Sequence, residues 1–143
     1  MQHETADHAA ARAPLKIGSM DLLSAVALAQ AVYYILTGLW PLVSIRTFEN
    51  VTGPKTDKWL VKTVGVLITV IGAVVGLAGI RRNVAPEIPL LGAGSAAGLA
   101  GIDVVYVSKR RIPPIYLLDA LAELLLIDAW ALAWKAVRGR QNR

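Results

Sequence analysis

Residues 115–134 read Ile115-Tyr-Leu-Leu-Asp119-Ala-Leu-Ala-Glu123-Leu-Leu-Leu-Ile-Asp128-Ala-Trp-Ala-Leu-Ala-Trp134. Apart from the three acids, every side chain in the stretch is apolar or aromatic. At ~1.5 Å per residue, such a helix covers roughly the 30 Å of a bilayer's hydrocarbon core. An ionised carboxylate at mid-membrane costs at least roughly a few kcal/mol, so acids in a span are normally paired, protonated or functional. The stretch predicts both a membrane-crossing helix and the place where any chemistry would sit.

Three further stretches repeat the pattern. Leu22–Ile45 carries no charge, Trp59–Ile80 only Lys62, and Ile88–Ser108 only Asp103. The whole chain is 55% hydrophobic and 17% charged, with a mean hydropathy of +0.52, well to the apolar side of globular usage. Hydrocarbon offers no partners for backbone N–H and C=O groups, so spans of this length fold as helices. Gly53-Pro54 breaks the chain after the first span, Asp57 is placed to N-cap the second, and Pro86, Pro89 and Pro113-Pro114 mark the starts of the third and fourth. Pro41 falls inside the first span, where a kink is expected. The connections, 46–58, 81–87 and 109–114, are short enough to make neighbouring spans antiparallel. The expected fold is all-α: an integral membrane four-helix up-down-up-down bundle over 20–137, with a polar N-terminal tail (1–19) and a basic C-terminal tail (138–143).

Charge and aromatic placement follow from that layout. Both termini share one face with Arg81 and Arg82, and eight cations there against six or seven on the other predict cytoplasmic termini. The net charge of +5 suits anionic lipids, and nothing points to nucleic acid. Trp40, Trp59, Tyr106 and Tyr116 at one face and Trp130 and Trp134 at the other are expected to form interfacial belts. His3 and His8 are expected to be solvated tail residues. The chain has no cysteine, no metal-ligand spacing and no cofactor motif, so neither metal nor cofactor is expected.

Within lipid, helices associate through close packing and buried polar contacts. Gly94 and Gly98 form a GxxxG pair in the glycine- and alanine-rich third span, as do Gly72 and Gly76 in the second. This predicts the third span as the central helix; its smooth face would otherwise line a ligand cavity. Asp119 and Glu123, four residues apart, lie about 40° apart on one helix face, whereas Asp128 is turned about 140° from Glu123. Asp103 and Asp119 are equidistant from Arg111, placing both roughly 6–8 Å inside the membrane. Lys62 reaches a similar depth, so Lys62, Asp103 and Asp119 are expected to form one polar layer with Glu123 a turn deeper. Arg46 would reach down towards it. Tyr33 and Tyr34 fall near the level of Glu123, and Gln30 near that of Asp128. Glu123, the deepest acid of the cluster, is the expected proton-accepting group; the same acids would equally serve to fix helix register.

Gly38-Leu39-Trp40-Pro41, Phe48 and the run from Gly53 to Val61 give residues 35–80 a hydrophobic layout and a Gly/Pro/aromatic loop. In this the chain resembles small bacterial four-helix membrane proteins of the DoxX-like type. The resemblance implies the four-helix fold and a bacterial inner-membrane location more than an activity; DoxX-like proteins include subunits associated with quinol oxidation, and no site residue carries over. Three functions are compatible with the residues: an accessory or lipid/quinone-like ligand-binding subunit, a proton-coupled carrier working as a homo-oligomer through Glu123, and a membrane enzyme. The enzyme ranks last because no histidine, cysteine or Ser–His pair lies in the spans, leaving only acid–base work by Glu123 with a tyrosine.

Overall fold

The computed structural model describes residues 21–141, all of whose regular elements are helices. They are α1 (Leu22–Val43), α2 (Ile45–Thr52), α3 (Lys58–Ile80), α4 (Glu87–Ser108) and α5 (Tyr116–Gln141). The expected N-terminal tail, with His3 and His8, and the last two residues of the basic C-terminal tail lie outside the described residues.

α1 opens on Asp21, whose carboxylate accepts from Ser24 N–H at 2.8 Å and from the Ser24 hydroxyl at 2.9 Å. Such a cap stabilises a helix by about 1 kcal/mol. Pro41 is accommodated inside the helix. The first span was expected to run unbroken to Ile45, followed by a loop. Instead Ser44 adopts extended backbone, closes α1 through its N–H to Trp40 O, and caps α2 with its hydroxyl. α2 forms because Ile45, Phe48 and Thr52 recur at helical spacing. Trp40 fixes it, donating its indole N–H to Thr47 Oγ1 at 2.9 Å and meeting the Phe48 ring edge-on at 5.6 Å.

Gly53 then takes φ +82°, a left-handed conformation that glycine adopts without steric cost. Beyond it Glu49 latches the chain. It accepts the Lys55 backbone N–H at 2.9 Å and the Lys58 ammonium at 2.9 Å, and these donors hold its carboxyl below the usual range. Asp57 sits at the N-cap of α3 as expected, but its side chain makes no capping bond. α3 and α4 end alike, with Arg82 and Arg110 at φ 51° and 54°. Asn83 N–H and Arg111 N–H reach back to Ala78 O and Tyr106 O, in the pattern usually built around glycine.

α1 and α3 pack as an antiparallel pair, since partners fall along α1 as they rise along α3. Gly65 lies under Gly38 and Pro41, Gly72 under Tyr34 and Ala31, Gly76 under Ala31, and Gly79 under Ala27 and Ser24. A Cβ on Gly72 would sit 2.9 Å from Tyr34 Cβ, and one on Gly38 only 2.7 Å from Gly65 O, so the backbones touch where the side chains are missing. α4 and α5, joined by a short turn, also pack on one another, with Gly92 against Trp130.

α1, not the glycine-rich α4, is the helix that touches every other one. The expectation of a central third span fails because Gly94, Gly98 and Gly101 point outward, and a Cβ on any of them meets nothing within 4 Å. A second correction concerns Trp130. It is 2% exposed and belongs to the core with Leu23, Val26, Ala27, Val75 and Ala133, because its N–H finds an acceptor inside, whereas Trp59 remains exposed. The outer faces are apolar, with Leu36, Val70, Leu90, Ile102, Leu121 and Leu132 exposed. α1, α3 and α4 are long and apolar enough to cross a membrane. α5 falls outside that set, because its three acids interrupt an otherwise apolar helix.

Candidate buried carboxylate site

The site lies where α1 meets α5. Tyr33 and Tyr34, adjacent in sequence, project about 100° apart around α1. Asp119 and Glu123, one turn apart on α5, receive them. The Tyr33 hydroxyl donates to Asp119 Oδ1. The Tyr34 hydroxyl donates to Glu123 Oε2 at 3.0 Å and lies 3.3 Å from Ser95 Oγ on α4. A phenol carries one proton, so Tyr34 serves one acceptor at a time, and the shorter contact is the carboxylate. Ser95 directs its own hydroxyl at Leu91 O (2.8 Å) and Gly92 O (3.0 Å). Tyr34 is 0% and Glu123 1% exposed, so this bond is sealed from solvent. A hydrogen bond to a charged group contributes about 1.5–3 kcal/mol net, and leaving such a group buried without a partner costs more.

One turn along α1, Gln30 makes a second polar clasp. Its amide donates to Gly92 O at 2.9 Å and its carbonyl accepts the Trp130 indole N–H at 2.7 Å, joining α1, α4 and α5. The close approach at Gly92 permits this: a Cβ there would lie 2.6 Å from Trp130 Nε1. Asp103 completes the group from α4. It is buried and leaves its Oδ2 without a partner.

The residues named from sequence thus divide. Tyr33 meets Asp119 and Tyr34 meets Glu123, with Gln30 beside them and Asp103 buried on α4. Lys62 does not join: it is exposed, because α3 packs along α1 rather than against α5. Arg46 is also exposed, carried outward on α2. The ion pair recorded among the described residues is Lys58–Glu49, far from the acids in sequence and on other helices, so the expected lysine–carboxylate layer is absent. Asp128 is exposed on the opposite side of α5, as its rotation from Glu123 requires. Ser95, Gly92 and Trp130 were missed as polar partners. The signal for them was the depth of Gln30, whose amide must find both a donor and an acceptor inside.

No group of three or more acids, histidines or cysteines among the described residues could hold a metal ion. A cleft of about 390 Å³ opens elsewhere, lined by Leu23, Val84, Pro86, Trp134, Val137 and Arg138. The Arg138 guanidinium stands 5.3 Å from the Trp134 ring centroid, giving the cleft apolar walls and one cation. None of the candidate site residues named from sequence lines it. No family model, curated protein or solved structure matches this chain.

Proposed function

We propose that the chain is a small polytopic protein of the bacterial inner membrane, a four-helix up-down-up-down bundle of the DoxX-like type with cytoplasmic termini. Within it, the protein acts as an accessory subunit that binds a partner subunit or a lipid- or quinone-like amphiphile. The observation that carries this reading is the sealed Tyr34–Glu123 bond flanked by Tyr33–Asp119 and by the Gln30 clasp. The interior polar groups are mostly spent on one another and knit α1 to α5, as a scaffold requires. The cleft beneath Arg138 favours the ligand half of the reading, since apolar walls with one guanidinium match an acyl or prenyl chain ending in an acidic or carbonyl group. Native mass spectrometry tests it by reporting assembly and retained amphiphile together. A protein released with a bound lipid or quinone, or with a partner subunit, supports the reading; a bare monomer sinks it.

A proton-coupled carrier, working as a homo-oligomer, is the second reading. It is favoured by Glu123 being enclosed with a phenol as its neighbour and, among the described residues, no ion-pair partner. Glu123→Gln separates the two. A scaffold keeps its partner or ligand in this variant, whereas a carrier loses the release of protons on substrate binding.

A further inference from the structure

The walls of the cleft come from the ends of the helices. Leu23 is the second residue of α1, Val84 and Pro86 lie in the α3–α4 connection, and Trp134, Val137 and Arg138 belong to the last turns of α5. The cleft therefore sits at one end of the bundle, at the level where a membrane-crossing helix meets the headgroups. Its volume of about 390 Å³ is near the low end for ligand sites, roughly 300–1,000 Å³, and suits one hydrocarbon chain rather than a whole lipid. Arg138 supplies the polar end. Its guanidinium stands 5.3 Å from the centroid of Trp134, one turn back on α5, so the ring that walls the cleft also holds the charge beside it. Among the described residues no carboxylate forms an ion pair with Arg138. The same end carries Arg81, Arg82 and Lys135 against Asp21 and Glu87, all exposed, which leaves a positive rim. A guanidinium is always charged, and its planar fork fits a phosphate through two parallel bonds. A quinone carbonyl would leave that charge uncompensated, and a zwitterionic headgroup would bring its own cation to the rim.

We propose that the cleft is a site for one anionic phospholipid, with an acyl chain between Leu23 and Val137 and the phosphate on Arg138. This rests on the ligand half of the proposed function and narrows its amphiphile to a lipid with a net negative headgroup. Native mass spectrometry of the delipidated full chain in detergent tests it. The probes are phosphatidylglycerol, phosphatidylcholine with the same chains, a prenylquinone, and glycerol phosphate. One phosphatidylglycerol per chain is expected to be retained, about tenfold more tightly than phosphatidylcholine. Arg138→Gln, at an exposed position, is expected to erase that preference. Lys135→Gln removes an equal charge that does not line the cleft, and should keep it. Val84→Trp, which fills the cleft, should weaken binding of the lipid. The proposal is overturned by equal retention of the two phospholipids, by equal losses in the Arg138 and Lys135 variants, or by glycerol phosphate binding as tightly as the lipid. Preferred retention of the prenylquinone overturns it and leaves the ligand half of the function standing; retention of no amphiphile overturns both. Should Val84→Trp fail to fold, the Arg138 and Lys135 variants still decide.

Discussion

α1 presents two faces that are closed by opposite means. Towards α3 it offers Ala27, Ala31 and Gly38 to Gly65, Gly72, Gly76 and Gly79, and the backbones approach until a single added Cβ would collide. Towards α4 and α5 it offers Gln30, Tyr33 and Tyr34, which reach across to Gly92, Trp130, Asp119 and Glu123. The first face works by dispersion over many weak contacts and tolerates no extra volume. The second works by a few directional bonds, strong only while each polar group has its partner. A helix pair closed by shape fails when volume is added, whereas one closed by acids and phenols fails when a single partner is removed.

The comparison can be broken most directly at Gly72. Gly72→Leu must force α3 off α1, since even a Cβ meets Tyr34 at 2.9 Å. A loss of about 3 kcal/mol or more is expected from overpacking, read by denaturant titration in detergent. An unchanged midpoint would mean that the close approach is not what holds the pair.

On the polar face, Gln30→Leu strands the Trp130 N–H in the interior. About 2 kcal/mol should be lost, accompanied by a shift in the indole N–H resonance of Trp130. Stability equal to wild type would show that water or another group replaces the amide.

A smaller effect is expected where α2 leads into α3. The Lys55 N–H and Lys58 ammonium depress the Glu49 carboxyl below its unfolded value. Its contribution is therefore complete above that unfolded value, about 4, and fades as pH falls through the lower folded value. The Lys55 amide resonance should move across that acidic range and stay still in Glu49→Gln. Movement in the variant would assign the titration to another group.

The smallest effect marks the contrast between the two glycine stripes. Gly98→Leu faces open space, so the fold of a single chain should change by less than about 1 kcal/mol, its sign helped by leucine's better helix propensity. A loss as large as that of Gly72→Leu would show that the α4 face is covered in the native assembly, and cross-linking would identify by what.

Much of the site was legible before any coordinates. Helical rise alone brings Tyr33 and Tyr34 near the depth of Glu123, and Asp103 to that of Asp119. Helical rotation alone puts Asp128 on another face. Depth and relative angle within one helix are properties of the backbone period, which apolar length and the Pro/Gly punctuation make readable. What was not legible is how each helix is turned about its own axis towards its neighbours. That decided Lys62, which shares the depth of the acids but lies on a helix packed along α1. It decided Trp130, drawn inward because Gln30 faces it, and the α4 glycines, which could have met any neighbour and meet none.

The residues themselves determined that this chain folds as long apolar helices, where they stop, and which acids share a face, because these follow from local periodicity and the scarcity of charge. Only the packed structure decided which glycines became an interface, which acid was left with an unpaired oxygen, and that no cation among the described residues pairs with the buried carboxylates. Those outcomes depend on competition among helix faces of nearly equal apolarity, where a methyl's difference in approach or one satisfied hydrogen bond is enough to choose.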